Sequence, residues 1–162
     1  MKTDLTLVLV DSLAWVAISL VVGTGAAYLP AHWLQSDTFI TRIRAFEAGG
    51  RVYRRVLAVQ RWKDRLPETR GPAPGERASK QALAGRSGLP LYLIETRRAE
   101  YVHLAIAAAG PLFALWNPAP MTAAMTVFGI LFNAPFIAVQ RYNRARIMSL
   151  PSSRSNRMGQ AI

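Results

Sequence analysis

The chain has 162 residues, of which 51% are hydrophobic, and its 20 basic and 9 acidic residues give a formal charge of +11. This composition argues against an ordinary soluble domain and favours apolar runs in lipid with basic runs at the lipid surface. The absence of Cys excludes disulfides, thiolate zinc sites and a Cys nucleophile, and two His residues exclude a histidine-rich metal centre. We expect one domain and no metal.

The first apolar run covers residues 5–29 and contains one charge, Asp11. A spanning helix needs about 20 apolar residues, so this run predicts a first transmembrane helix in which Asp11 is structural. Lys2 before the run and the small residues 25–27 near its end also resemble a signal peptide, although signal-peptide apolar cores are shorter, at about 7–15 residues. Retention and cleavage of this helix both stay open.

Residues 46–66 combine apolar side chains at helical spacing with Arg on the other faces. The pattern predicts a basic amphipathic helix at the membrane interface. Such a helix either borders a substrate entrance or serves only as a charged anchor. Residues 67–90 are rich in Pro and Gly, which predicts a cytoplasmic linker with at most one short helix.

Two further spans are predicted at 95–116 and 119–140. The apolar part of the second run begins at Tyr101, so its helix must extend back through a charged turn. Only a tight turn fits the link between the runs, which predicts an antiparallel hairpin. The expected fold class is an all-α integral membrane protein with about three transmembrane helices plus the basic amphipathic interfacial helix.

The topology follows from the basic residues. All Lys and Arg except Lys2 lie in residues 30–100 or 141–162. The positive-inside rule therefore places the N-terminus outside, and the middle segment and the basic tail 141–162 in the cytoplasm, of a multi-pass protein in a bacterial-type cell membrane.

The start of the second span carries ionisable residues that suit acid–base chemistry. Glu100 and His103 are three positions apart and share a helix face, so the carboxylate would orient the imidazole as a general base. The same spacing pairs Glu95 with Arg98, and Arg97 with Glu100 or the tyrosine after it. The alternative is a charge cluster at the helix start that reaches to water.

The third span ends in polar and basic residues that the hairpin brings to the depth of His103. They are Asn133, Gln140, Arg141, Asn143, Arg144 and Arg146. The amides could stabilise an oxyanion, and the three arginines could hold phosphates. The alternatives are a helix–helix hydrogen bond for Asn133 and positive-inside anchoring for the arginines. Pro135 removes one backbone hydrogen bond and predicts a kink.

Three segments carry distinctive motifs: Arg-Trp-Lys at 61–63, Glu-Thr-Arg-Arg-Ala-Glu-x-x-His at 95–103, and a segment that runs from Asn-Ala-Pro at 133–135 to Gln-Arg-Tyr-Asn-Arg-x-Arg at 140–146. They resemble the glycosyl-4,4'-diaponeurosporenoate acyltransferase family of staphyloxanthin-type carotenoid biosynthesis. The resemblance covers about residues 46–148. It implies transfer of a fatty acyl chain to a sugar hydroxyl of a glycosylated carotenoid acid at the cytoplasmic membrane. The motifs carry over onto Glu95, Arg98, Glu100, His103, Asn133, Gln140, Arg141, Asn143 and Arg144.

The leading hypothesis is a membrane O-acyltransferase in which Glu100 orients His103 and the acceptor is a glycosylated carotenoid or another glycolipid. We expect no tightly bound cofactor, an acyl-CoA or similar acyl donor as co-substrate, membrane lipids as partners and no nucleic acid. Glu95 and Arg98 join the substrate-binding set. The alternatives are a non-catalytic lipid- or carotenoid-binding subunit, and a lipid-modifying enzyme of other chemistry such as a methyltransferase. A homo-oligomer is left open.

Overall fold

The computed structural model describes residues 2–66 and 88–149, and this part of the chain is helical and contains no strand. The all-α prediction is therefore confirmed. The α-helices are α1 (Lys2–Ala27), α2 (Arg51–Arg55), α3 (Val59–Trp62), α4 (Leu89–Ala108) and α5 (Ala119–Met148). Short 3-10 helices lie at Ala31–Leu34, Ala45–Gly50, Lys63–Arg65 and Gly110–Leu115.

The three long helices pack antiparallel in chain order, and α4 and α5 form the predicted hairpin. Near the turn, a Cβ on Gly110 would lie 2.5 Å from Thr126 Cα, so the two backbones nearly touch there. Farther along, His103 contacts Asn133. The hairpin therefore places the first half of α4 beside the last turns of α5.

Arg98 joins α1 to α4. Its Nη1 donates to the carbonyl oxygens of Ala26, at 2.5 Å, and Leu29, at 2.9 Å, at the C-terminal end of α1. A cation at this end satisfies orphan carbonyls and complements the helix dipole. The predicted Glu95–Arg98 pair is confirmed at 3.2 Å. Arg98, predicted to bind substrate, therefore fastens α1 to α4, and Glu95, which carries the same prediction, pairs with Arg98 on α4.

Asp11 lies in the first half of α1 and bonds it to the turn of the hairpin. Its Oδ1 accepts hydrogen bonds from Trp116 Nε1 and Asn117 Nδ2, both at 2.8 Å, and the residue is only 4% exposed. The expectation that Asp11 is structural is confirmed.

Two helices are long and apolar enough to cross a membrane, at Leu5–Ala27 and Ala119–Met148. Both expose large apolar side chains, such as Val21 at 72% and Leu131 at 67%, which is unusual for a soluble protein. The predicted span 95–116 is not one of them, because four charged residues lie in the middle of α4. The α-helix also ends at Ala108, and a 3-10 helix follows.

The predicted interfacial helix at 46–66 is wrong as one continuous element. Ala58 adopts a left-handed conformation, with φ of 46°, and separates α2 from α3. Tyr53 and Val59 are buried against Tyr142 of α5, so this segment packs on the end of the bundle.

The predicted boundary at residue 140 is also wrong, because α5 continues to Met148. Residues 141–148, assigned to a tail, are therefore the last turns of a packed helix. Most of the predicted linker, at 67–87, and the rest of the predicted tail, at 150–162, lie outside the described residues.

Candidate active site

Glu100 lies at the centre of the polar end of the bundle and is fully buried. Its two carboxylate oxygens accept hydrogen bonds from Arg141 Nη1 and Arg144 Nη2 of α5. The predicted orientation of His103 by Glu100 is therefore wrong. Two guanidinium groups on the facing helix make stronger, charge-assisted hydrogen bonds to the carboxylate than a neutral imidazole would.

Arg141 is held by acceptors on several segments. Its Nη2 lies 2.6 Å from Glu47 Oε1, its Nε lies 3.0 Å from Glu47 Oε2, and its Nη1 binds Glu100. The remaining contacts are with the Tyr53 hydroxyl and the main-chain oxygens of Ile40 and Arg42. Every guanidinium nitrogen thus has a protein acceptor, in place of the phosphate predicted for Arg141.

Arg144 is fully buried and also lies within the protein. Its Nη2 donates to Glu100 and to the main-chain oxygen of Thr41, and its Nε lies 3.7 Å from Asp37 Oδ1. Asp37 also accepts from Arg97 Nε at 2.8 Å. Arg97 therefore pairs with Asp37, and its predicted pairing with Glu100 or the following tyrosine is wrong.

These side chains form one ionic network with equal numbers of both charges. Its members are Asp37, Glu47 and Glu100 with Arg97, Arg141 and Arg144. Buried charges persist when each is paired and hydrogen-bonded, so the network ties the segment 37–53 to α4 and α5. Sequence reasoning missed Asp37 and Glu47, although two acidic residues in so basic a segment were a usable signal.

The Tyr53 hydroxyl donates a hydrogen bond of 2.5 Å to Glu47 Oε2, and the pKa of each group departs from its ordinary value. Burial raises the pKa of Glu47, but hydrogen bonds from Arg141 and Tyr53 outweigh burial and hold that pKa below its ordinary value. Burial and the bond to Glu47 raise the pKa of Tyr53 to about 12. The pair is therefore carboxylate and neutral phenol at neutral pH.

His103 lies one turn beyond Glu100 on α4, and its partner is Asn133. Nδ1 of His103 is 2.9 Å from Oδ1 of Asn133, and Nδ2 of Asn133 donates to the Gly129 carbonyl at 2.8 Å. The second bond fixes which end of the amide faces the imidazole, since a carbonyl accepts only from the NH₂ group. Asn133 therefore presents an acceptor, and the neutral His103 carries its proton on Nδ1.

The other imidazole nitrogen has no hydrogen-bond partner among residues 2–66 and 88–149, and His103 is half-buried. Its ring stacks on Phe136, with centroids 4.6 Å apart and planes 14° from parallel. An imidazole held in this way offers the lone pair of Nε2 as a proton acceptor.

The remaining predicted site residues lie near the end of α5. Gln140 and Asn143 are half-buried, and their side chains make no hydrogen bond within the described ranges, whereas Arg146 is exposed. The described part of the chain contains no group of three or more His, Asp or Glu side chains arranged to hold a metal ion. The structure thus brings His103 and Asn133 together and keeps Glu100, Arg141 and Arg144 in a separate ionic layer.

A family model described as glycosyl-4,4'-diaponeurosporenoate acyltransferase matches residues 30–152. The match covers most of the chain and contains both the ionic network and the His103–Asn133 pair. The chain belongs to this family. Membership makes it an enzyme of the acyltransferase class, as the motifs implied.

Curated relatives carry the same description. Glycosyl-4,4'-diaponeurosporenoate acyltransferases of Staphylococcus aureus strains MRSA252, bovine RF122 / ET3-1 and USA300 are each 23% identical to the chain over 146 residues. The alignments cover 86% of this chain and 84% of each relative. No solved structure matches the chain.

Proposed function

We propose that the chain is an integral membrane O-acyltransferase. It transfers a fatty acyl chain from acyl-CoA, or a similar donor, to a sugar hydroxyl of a glycosylated carotenoid or related glycolipid. The acceptor class rests on the printed description of the family and its relatives. The observation that carries the mechanism is the His103–Asn133 pair, which leaves one imidazole nitrogen free to accept a proton.

In the proposed reaction, Nε2 of His103 takes the proton of the sugar hydroxyl as the oxygen attacks the thioester carbonyl carbon. A C–O bond forms, the C–S bond breaks, and the thiolate leaves with the proton that His103 returns. Asn133 acts as the positioning residue, in the place that Glu100 held in the sequence-based hypothesis. Gln140, one turn of α5 beyond Phe136, supplies an amide donor for the developing oxyanion.

The donor phosphates need cations that the ionic network has not engaged. Arg146 is exposed at the end of α5 and keeps its predicted role in this proposal. Arg54 and Arg55 are exposed on α2, which packs against the same end of α5 through Tyr53. These arginines lie where an anionic donor would arrive from the aqueous side.

The membrane arrangement belongs to the same proposal. α4 is a third crossing helix despite its charges, because Arg97, Arg98 and Glu100 are satisfied inside the bundle and need not face lipid. The basic end lies in the cytoplasm and the N-terminus lies outside. The contacts of α1 with Arg98 and of Asp11 with Asn117 support retention of the first helix.

The two histidines of the chain provide a matched test. His103→Ala should lower transfer of a labelled acyl group from acyl-CoA to a glycosylated carotenoid by about 10²–10⁴-fold, the usual contribution of a general base. His32→Ala should leave the rate unchanged, because His32 is exposed and contacts the ring of Trp33. Full activity in correctly inserted His103→Ala protein would refute this mechanism.

A further inference from the structure

We propose that the acyl chain of the donor lies along an aromatic track on α5, with its carbonyl at His103 and its tail at Ala124. The aromatic track consists of Phe136, Phe132 and Phe128. This inference rests on the proposed acyl transfer and adds to it where the hydrocarbon is bound and what limits its length.

The aromatic track is continuous from the base outward. Phe136 stacks on His103 at 4.6 Å, Phe132 lies 5.9 Å from Phe136, and Phe128 lies 5.5 Å from Phe132, measured between ring centroids. Residues four apart lie on one helix face, so the three rings form a stripe along α5. The stripe therefore offers a long apolar surface that begins at the only free imidazole nitrogen on α4.

Beyond Phe128 the stripe continues into small side chains. The next position is Ala124, and an open groove of about 710 Å³ surrounds it. The groove is lined by Ala123, Ala124, Val127, Phe128, Leu131 and Phe132. Trp15 of α1 contacts the ring of Phe128 at 5.8 Å and borders the track there. From Phe136 to Ala124 the helix rises ~18 Å, at about 1.5 Å per residue, which is long enough for an extended hydrocarbon chain.

The position of the reacting atoms favours the acyl chain of the donor over the polyene of the acceptor as the group that lies on the aromatic track. In a thioester the hydrocarbon begins at the carbonyl carbon, which must lie within a few ångströms of the base. In a glycosylated acceptor a sugar ring separates the reacting hydroxyl from the polyene. Because Phe136 packs directly on His103, the apolar surface starts where an acyl chain starts.

Contact with bilayer lipid would account for the exposed apolar side chains of α1 and α5. It does not explain why one row of these side chains is in continuous contact with His103. The aromatic track differs from those surfaces by its unbroken ring contacts with His103. The aromatic track is polar at its His103 end and apolar along the rest of its length. It therefore matches an acyl thioester whose headgroup stays in water.

A substitution that fills the far end of the track tests this assignment. Ala124→Phe should lower kcat/KM for long-chain acyl-CoA relative to short-chain acyl-CoA by ~10-fold or more, the discrimination expected when a pocket loses space for a methylene or more. Ile130→Phe is the matched control, because Ile130 is exposed on the same helix and does not line the groove. An unchanged chain-length ratio in an active Ala124→Phe enzyme would overturn the proposal.

A binding measurement separates this proposal from the proposed function. A long-chain acyl-CoA with a diazirine at the end of its tail should label residues 123–132 after irradiation, in the wild type and in His103→Ala protein. Labelling of this segment without transfer by the wild type would support the track and refute the acyltransferase proposal. Transfer with the label on α1 alone, or a cross-link that places this face against a second copy, would refute the track.

Discussion

Asn133 orients His103: the Asn133 amide oxygen lies 2.9 Å from Nδ1 of the imidazole, across the α4–α5 interface. The bond from Asn133 to the Gly129 carbonyl prevents the amide from turning round. A neutral amide thus makes the hydrogen bond to the imidazole that sequence spacing assigned to Glu100. The arrangement resembles in logic a triad in which an asparagine holds a catalytic histidine.

Loss of the Asn133 amide should slow catalysis without loss of the fold. Asn133→Leu keeps similar volume but removes the acceptor, so Nδ1 loses its fixed proton and the ring its orientation. We expect a lower kcat with little change in KM, and a mixture of imidazole tautomers. Asn133→Asp keeps an acceptor toward Nδ1 and should recover part of the kcat.

Nitrogen NMR of histidine-labelled protein checks the tautomer directly. A His32→Gln background leaves His103 as the only histidine, so its two ring nitrogens can be assigned without ambiguity. The wild-type site should show the proton on Nδ1, and the Leu variant should not show this preference. A wild-type imidazole protonated only on Nε2 at neutral pH would contradict the assigned role of Asn133.

Glu100 should matter for stability rather than for proton transfer. Glu100→Gln replaces a fully buried carboxylate that accepts from two arginines, and breaking such a pair by changing one partner costs about 3–5 kcal/mol. Glu95→Gln is the matched control on the same helix, since its partially exposed pair with Arg98 should contribute less than about 1 kcal/mol. Unfolding in detergent micelles measures both changes, and equal stabilities would disprove the network's role.

Whether the sequence predicts a contact in this protein depends on how far apart the two partners lie along the chain. The hairpin, the start of α5 and the Glu95–Arg98 pair follow from local spacing and were predicted. Local spacing also suggested Glu100–His103, but partners from α5 and from segment 37–53 compete for the same carboxylate. Those long-range contacts are set by packing, which spacing along one helix does not contain.

The break in the segment 46–66 has a related cause. Its apolar spacing is helical, yet Ala58 is left-handed because Tyr53 and Val59 must both reach the end of α5. Burial of these side chains outweighs the local preference for a continuous helix. The sequence identified which residues are apolar and basic but not the surface against which they pack.

The Glu47–Tyr53 pair should make stability depend on pH at both extremes. The pKa of Glu47 is lowered in the folded protein, so its contribution is present above the ordinary value of 4.5 and is lost as the pH falls through the lowered pKa. The pKa of Tyr53 is raised, so its contribution is present below pH 10.0 and is lost as the pH rises toward about 12.

Thermal unfolding across the acid and alkaline ranges measures these losses. Tyr53→Phe should lower the midpoint at neutral pH and reduce the further loss between pH 10.0 and about 12. Glu47→Gln should also lower the midpoint at neutral pH, and it should reduce the further loss of stability as the pH falls below 4.5. A wild-type alkaline loss that persists undiminished in Tyr53→Phe protein would show that another group causes it.

The turn end of the hairpin provides a last test, because there the fold depends on the absence of a side chain. A Cβ at Gly110 would lie 2.5 Å from the Cα of Thr126, and a backbone atom cannot move aside as a side chain can. Gly110→Ala should therefore push α4 and α5 apart and destabilise the protein by about 1–3 kcal/mol. Gly25→Ala is the matched control, since nothing lies within 4 Å of the added Cβ in α1, and alanine there should be neutral or stabilising. Gly110 begins the 3-10 helix that follows α4 and lies seven residues from His103, which is ~10 Å by the helix rise. A small separation at the turn should therefore also loosen the His103–Asn133 bond and lower kcat. Unchanged unfolding and unchanged kcat in Gly110→Ala protein would mean that the helices do not approach this closely.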